Sequence, residues 1–319
     1  MTTPLLQVEN LRKQYPVGRR SVRAVDDVSF AVPAGQTVAL VGESGCGKST
    51  TGLATLRLIE PSGGRITFDG TDVTTMGRRQ LRAARSRMQI VLQNPRSQLD
   101  PRMRIRDSVL EPLRAQRSGT RAAMRDRVAE CLELVGLPAD LAPRYPHQLS
   151  GGQRQRVAIA RALATEPELI VLDEAVSALD ASVQVQVLNL LQDLQQRLGL
   201  SYVFISHNMA AVRYLAHRVV VMYLGQSVES APADELFTRP AHPYTEALLS
   251  AVPSASRPRD RERIVLRGDT PSPFERPTGC VLRTRCPRAR DICATTPPPP
   301  RELVANHTVS CHFPLEHSG

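Results

Sequence analysis

The chain has 319 residues, enough for about two domains of ~100–200 residues each, and its 41% hydrophobic and 23% charged content is that of a folded globular protein rather than a disordered or fibrous one. A net charge of +10 invites a nucleic-acid or anionic-membrane partner, but aromatics are 4% with no Trp, which leaves few platforms for base stacking, and no RNP or zinc-finger pattern occurs. The longest apolar run, Val219 to Leu224, falls far short of the ~18–20 residues that cross a bilayer, and the first nine residues have neither a basic start nor a continuous apolar stretch, so a cytosolic chain is expected.

In chain order, Thr37 to Val41 reads as a short buried strand, and Gly42-Glu43-Ser44-Gly45-Cys46-Gly47-Lys48-Ser49 after it fits G-x-x-x-x-G-K-[ST]. Leu53, Leu56 and Leu58 then predict a helix, whose N-terminal N–H groups and dipole would face phosphate. Lys48 would bridge the β- and γ-phosphates and Ser49 would ligate Mg²⁺. Of the 41 basic residues only Lys13 and Lys48 are lysines, so a compact ammonium stands out at this glycine-flanked site. Taken alone, the motif also suits a glycine-rich turn before an unrelated helix.

Residues 75–130 hold 14 Arg against 5 Asp or Glu, a local +9 that suits either contact with an acidic partner or lipid surface, or simply a solvated helix face. The stretch 105–145 reads as helices, with Val128, Cys131, Leu132 and Val135 on one face and Gly136-Leu137-Pro138 as a stop. Leu169-Ile170-Val171-Leu172-Asp173-Glu174 is a strand apolar on both faces that ends in two acids. Asp173 suits water-mediated Mg²⁺ binding and Glu174 suits polarising a water for attack on phosphorus. A helix over 181–198 places Val187, Leu188, Leu191, Leu194 and Leu198 on one side and stops at Gly199.

From Ser254 the composition turns to Pro and Arg, predicting a linker and a small module. Cys280, Cys286, Cys293 and Cys311 follow C-x5-C-x6-C-x17-C, in a segment too poor in apolar residues to fold on burial alone. A reducing compartment disfavours disulfides, which leaves Zn²⁺ or an iron–sulfur cluster, and the spacing does not separate the two. Cys46 and Cys131 are not read as ligands.

Leu149-Ser150-Gly151-Gly152-Gln153, lying between the phosphate motif and the two acids, resembles the signature motif of ABC-type nucleotide-binding subunits. In the same order stand Tyr15 as the adenine-stacking aromatic, Gln93 as the Q-loop residue, Asp180 in Ser177-Ala178-Leu179-Asp180, and His207 as the switch histidine. Each would pass for an ordinary strand, loop or cap residue by itself. The segments Leu92 to Met103, Tyr145-Pro146-His147-Gln148, Leu179 to Gln184 and His242-Pro243-Tyr244-Thr245-Glu246-Ala247-Leu248-Leu249 are similar to oligopeptide/dipeptide permease ATPases.

The resemblance implies an α/β fold. It comprises a P-loop NTPase core with a RecA-like parallel sheet, an N-terminal antiparallel β subdomain, a helical signature subdomain over about 95–165, and a small Cys-rich C-terminal appendage. Residues 1–253 would form the nucleotide-binding domain and 254–319 the peptide-permease-type domain. ATP would be held by Tyr15, Gly42, Glu43, Ser44, Gly45, Cys46, Gly47, Lys48, Ser49 and Thr50, and from a second chain by Ser150, Gly151, Gly152, Gln153 and Asp180. Lys48, Gln93, Glu174 and His207 would be catalytic, with Mg²⁺ at Ser49, Gln93 and Asp173. The four cysteines would carry a [4Fe–4S] cluster, zinc being the alternative.

The implied function is the ATP-hydrolysing motor of an importer, with di- or oligopeptides as cargo. Its implied partners are an identical or paralogous ATP-binding subunit, two transmembrane permeases and an extracytoplasmic substrate-binding protein, and its place is the cytoplasmic face of the membrane, peripherally bound. Motors for nickel or glutathione look alike. A soluble ATPase acting on nucleic acid or ribosomes would call for tandem cassettes or a long coiled-coil insertion, which the sequence lacks. Ala175 replaces the proline usual after the catalytic Glu, and Asn208 replaces the acid usual after the switch His.

Overall fold

The computed structural model describes residues 3–316 except 19, 94–97, 117–118, 252–263 and 273. Asn94-Pro95-Arg96-Ser97 and the expected start of the linker at Ser254 therefore lie outside the described residues. The chain divides into two compact units, here called the glycine-loop unit (Thr3–Ala31, Thr37–Thr74 and from Ser206 on) and the helical unit (Val32–Gln36 and Thr75–Ile205).

The glycine-loop unit begins with β1 (Leu6–Val17) and β2 (Arg20–Val32), continues through β3 (Thr37–Val41) and α1 (Lys48–Thr55), and closes its first part with β4 (Gly63–Phe68) and β5 (Thr71–Asp72). A four-stranded sheet runs β2-β1-β4-β5, with β1 antiparallel to β4 in the register Leu6↔Phe68 and Val8↔Ile66. That register puts Leu6, Val8, Ile66 and Phe68 on the buried side, the alternation expected of a sheet with one wet face. β3 has no exposed residue, as its unbroken apolar run predicts. α1 is shorter than expected: it stops at Thr55, and Leu58 lies 46% exposed instead of continuing the apolar face.

The helical unit contains α2 (Arg78–Arg87), β6 (Met88–Val91), α3 (Ile105–Gln116), α4 (Arg121–Leu134), α5 (Gly151–Leu163), β7 (Leu169–Asp173), α6 (Ala181–Leu198) and β8 (Ser201–Ile205). β6, β7 and β8 are parallel neighbours, paired Val91↔Leu172 and Asp173↔Ile205 at their C-terminal ends. Val128, Cys131, Leu132 and Val135 are buried on and just after α4, and Gly136 ends the run at φ 65°. α6 buries Val187, Leu188, Leu191 and Leu194 as expected and is capped by Gly199, but Leu198 is 44% exposed. The helix ends there before its last turn reaches cover.

The glycine-loop unit resumes with α7 (Met209–Leu215), β9 (Arg218–Tyr223), β10 (Gln226–Pro232), α8 (Ala233–Thr238), α9 (Pro243–Ser250), α10 (Asp291–Thr295), β11 (Arg301–Val304) and β12 (His307–Val309). β3 runs parallel to β9, and the sheet extends outward in the order β9-β10-β12-β11 by antiparallel pairs. The cysteine segment is thus less of an appendage than its composition suggests, because its hairpin adds two strands to the sheet edge beside β10. Buried Glu229 of β10 secures that edge, accepting from Ala241 N (2.7 Å) and His242 N (2.9 Å) and pairing with His307 Nε2 (2.7 Å). A carboxylate so enclosed needs this set of donors.

Candidate functional site

The loop 42–49 wraps the start of α1. Gly47 has φ 103°, and a Cβ there would lie 2.2 Å from Ala24 O, so only glycine lets the backbone pass. The N-cap of α1 is Gly47, which makes no side-chain cap bond. Lys48 is 5% exposed, and its Nζ donates to Gly42 O (2.8 Å) and Glu43 O (2.9 Å), an ammonium held over the loop's own carbonyls. Burial raises the Cys46 thiol despite the nearby Lys48, so it stays neutral. Ser44, Gly45 and Ser49 are exposed, and Thr50 is half-buried.

Tyr15 lies 37% exposed on β1, with Lys13 Nζ 4.9 Å from its ring centroid. Ser206 donates its N–H to Leu40 O of β3 (3.2 Å), and His207 follows it with an exposed side chain. Asn208 accepts from Ala210 N (3.0 Å) and Ala211 N (3.2 Å), capping α7 as an aspartate would. The departure at 208 therefore keeps the cap and drops only the charge.

In the helical unit, Asp173 ends β7 at 7% exposure and Glu174 opens the next turn at φ 47°. The turn closes on Glu174 O through Ser177 N (3.1 Å) and Ser177 Oγ (2.9 Å). A proline at 175 would crowd the backbone of residue 174; buried Ala175 leaves it free to hold this left-handed conformation. Gln93, just past β6, donates its Nε2 to Glu174 Oε2 at 2.8 Å. Ser150 and Gln153 form a capping box on α5: Ser150 Oγ accepts from Gln153 N (3.2 Å) and Ser150 N donates to Gln153 Oε1 (2.9 Å).

Gly152 is buried, and a Cβ on it would lie 2.4 Å from Val183 Cγ1. Asp180 caps α6 at that same Val183, accepting its N–H at 3.0 Å, and this bond with the one from Ser182 lowers its pKa. The signature turn and the 177–180 loop are thus packed as one piece. The units divide the expected residues: Tyr15, 42–50 and His207 lie in one, and Gln93, 150–153, Asp173, Glu174 and Asp180 in the other.

Sequence reasoning missed the supports of Glu43. Its N–H donates to Tyr244 Oη (2.7 Å), and its Oε2 accepts from Thr270 Oγ1 (2.9 Å) and Arg285 Nη1 (2.8 Å). Burial works against the Arg285 charge, but the bonds to Glu43 and Tyr223 outweigh it and its pKa moves up. An acid inside a phosphate-binding motif was the one signal that a cation had to lie nearby.

The four C-terminal cysteines line one small cavity together with His312 and Phe313. Burial pushes the Cys280, Cys286 and Cys311 thiols up, Cys311 to about 11, and backbone N–H groups of Leu282, Arg288 and Phe313 pull part of the way back. Among the described residues no three His, Cys, Asp or Glu side chains stand in a metal-holding arrangement. Four thiols are a donor set of the kind thiophilic metals take, but in this structure the side chains do not stand as metal ligands.

Among known families, ABC transporter matches residues 25–177, and Oligopeptide/dipeptide transporter, C-terminal region, matches 228–293. A putative peptide import ATP-binding protein of Brucella ovis is 53% identical over 97% of this chain and 98% of its own. The oligopeptide transport ATP-binding protein AppF of Bacillus subtilis is 46% identical over 97% of both. A post-hydrolysis dimer of the ATP-binding cassette MJ0796 bound to ADP and Pi superposes with TM-score 0.64 at 29% identity, covering 72% of this chain and 98% of that one. For cbiO1 from Clostridium perfringens, part of an ABC transporter complex, the TM-score is 0.67 at 28% identity, covering 75% and 92%.

Proposed function

The chain belongs to the ABC transporter ATP-binding proteins of the oligopeptide/dipeptide type, and from that premise we propose how its residues divide the work. It is the ATP-hydrolysing subunit of a peptide importer and works with membrane permease subunits. The single observation that carries the reading is the glycine loop on α1, with Lys48 held by Gly42 O and Glu43 O.

Lys48 and the α1 N–H groups bind the β- and γ-phosphates, Tyr15 stacks on adenine, and Ser49, Gln93 and Asp173 hold Mg²⁺, which neutralises charge developing on the phosphates. Glu174 takes the proton of the attacking water, and His207 steadies the γ-phosphate. One loop and one helix end bind the triphosphate from one side only, so a second chain must supply Ser150, Gly151, Gly152 and Gln153 to close the other, with Asp180 holding α6 against Gly152. Closure excludes water and aligns the nucleophile; hydrolysis reopens it.

Three finer assignments belong to the same reading. The motor sits peripherally on the cytoplasmic face; among the described residues no helix is long and apolar enough to cross a membrane. A groove of about 1140 Å³ bounded by α3, α4 and 136–142 is lined by Arg106, Arg114 and Arg125 with Asp107 and Glu133 around an apolar floor, Asp107 pairing with Arg106 and Arg114; its small positive surplus makes it the docking place of an acidic permease segment, and an extracytoplasmic binding protein delivers the peptide. Cys280, Cys286, Cys293 and Cys311 hold a structural [4Fe–4S] cluster, which cross-links a segment poor in core.

The test of function is peptide-stimulated phosphate release by the chain co-purified with its permeases. Stimulation by nickel or glutathione and not by peptide would move the cargo assignment. Absorbance of the same sample near the iron–sulfur band, against its zinc content, decides the cysteine site.

A further inference from the structure

Glu43 poses an electrostatic problem. It carries a negative charge in the loop that receives a triphosphate, and an uncompensated carboxylate there repels the ligand. The compensation comes from 242 residues further along the chain: Arg285 Nη1 bonds Glu43 Oε2 at 2.8 Å, with the two side chains only 10% and 29% exposed. Thr270 Oγ1 donates to the same oxygen at 2.9 Å, and Tyr244 Oη receives the Glu43 N–H at 2.7 Å. The guanidinium is held further, because Nη1 also reaches Thr270 Oγ1 (3.3 Å) and Tyr223 Oη (3.4 Å).

The position of Arg285 is fixed by the turn that carries the cysteines. Arg285 N bonds Leu282 O (2.8 Å), Arg283 N bonds Cys280 O (3.1 Å), and Cys280 N bonds Cys293 O (2.8 Å). We propose that Arg285 is a positioning residue for nucleotide: it cancels the Glu43 charge and, with Thr270 and Tyr244, pins the first half of the phosphate loop, so that nucleotide binding and order in the 280–293 turn are coupled. The coupling is reciprocal by linkage. It rests on the reading of 42–49 as the triphosphate loop.

The test measures equilibrium binding of a fluorescent methylanthraniloyl ATP to the full chain. Arg285→Ala is expected to weaken binding about tenfold, and the same substitution in the Glu43→Gln background to change it less than about twofold, because the charge to be cancelled is gone. A loss that arose only from damaged packing would persist in both backgrounds. Amide hydrogen exchange across 280–289 supplies the reciprocal readout: ATP slows it in the wild type and not in Arg285→Ala. Should Arg285→Ala not fold by circular dichroism, Arg285→Lys and Thr270→Ala carry the same comparison with smaller losses, about two- to threefold.

Wild-type affinity in these variants, or an equal loss with and without Glu43→Gln, overturns the proposal. Lys48→Ala separates it from the loop assignment. If that variant binds ATP normally, the loop reading itself fails, whereas loss of binding there with no effect at Arg285 sinks only the positioning role.

Discussion

Gln93 and Glu174 are hydrogen-bonded to each other, Nε2 to Oε2 at 2.8 Å. They meet because β6 and β7 are parallel neighbours paired at Val91↔Leu172, so the two residues leave adjacent strand ends together. The amide thus holds the carboxylate proposed as the base. Gln93→Ala is expected to slow phosphate release about 10- to 100-fold while changing ATP affinity far less, a split that marks a role in the chemical step. Single-turnover release alongside equilibrium binding checks it.

The glycine loop makes a steric prediction. Gly47→Ala puts a Cβ 2.2 Å from Ala24 O at φ 103°, so the loop must move and nucleotide binding should vanish. Gly45→Ala meets nothing within 4 Å and pays only for its positive φ, about 1–3 kcal/mol. Calorimetric ATP titration of both variants should show abolished and merely weakened binding respectively.

His242 gives the stability a pH dependence. Burial, opposed by Glu229, lowers its pKa to about 4, and its Nδ1 accepts the Tyr244 N–H at 3.1 Å, which requires that nitrogen to be unprotonated. The folded pKa lies below the unfolded value of about 6.5, so the unfolded chain takes up a proton first as pH falls. The contribution is complete above about pH 6.5 and declines toward pH 4, by up to about 3 kcal/mol. His242→Asn keeps an acceptor for the cap, and denaturant melts between pH 7 and 4 should show a flatter slope than wild type.

The groove of the helical unit, with three arginines against Asp107 and Glu133, predicts a separation of functions. Arg114→Glu with Arg125→Glu should reduce co-purification with the permeases, while ATP binding by the free chain stays within about twofold. Pull-down and binding on the same preparations test this.

Much of the fold was legible because it depends on local pattern. The apolar runs 37–41 and 169–173 announced buried strands, and the glycine and acid motifs at their ends followed. The early stop of α1 at Thr55 and the exposure of Leu198 were not, since apolar spacing does not say where cover ends. Asn208 looked like a lost acid and proves to be a helix cap, a role that only backbone geometry reveals. The Arg285–Glu43 pair joins distant parts of the chain, and no periodicity encodes such a contact. Nor did the cysteine spacing show that β12 pairs with β10, because a three-residue strand carries too little pattern to be seen.

Phosphate release by the assembled transporter, wild type against Glu174→Gln, bears most directly on the hydrolytic assignment. A fall of about 10²- to 10³-fold with ATP still bound is expected if this carboxylate takes the water's proton. Release at the wild-type rate would contradict it.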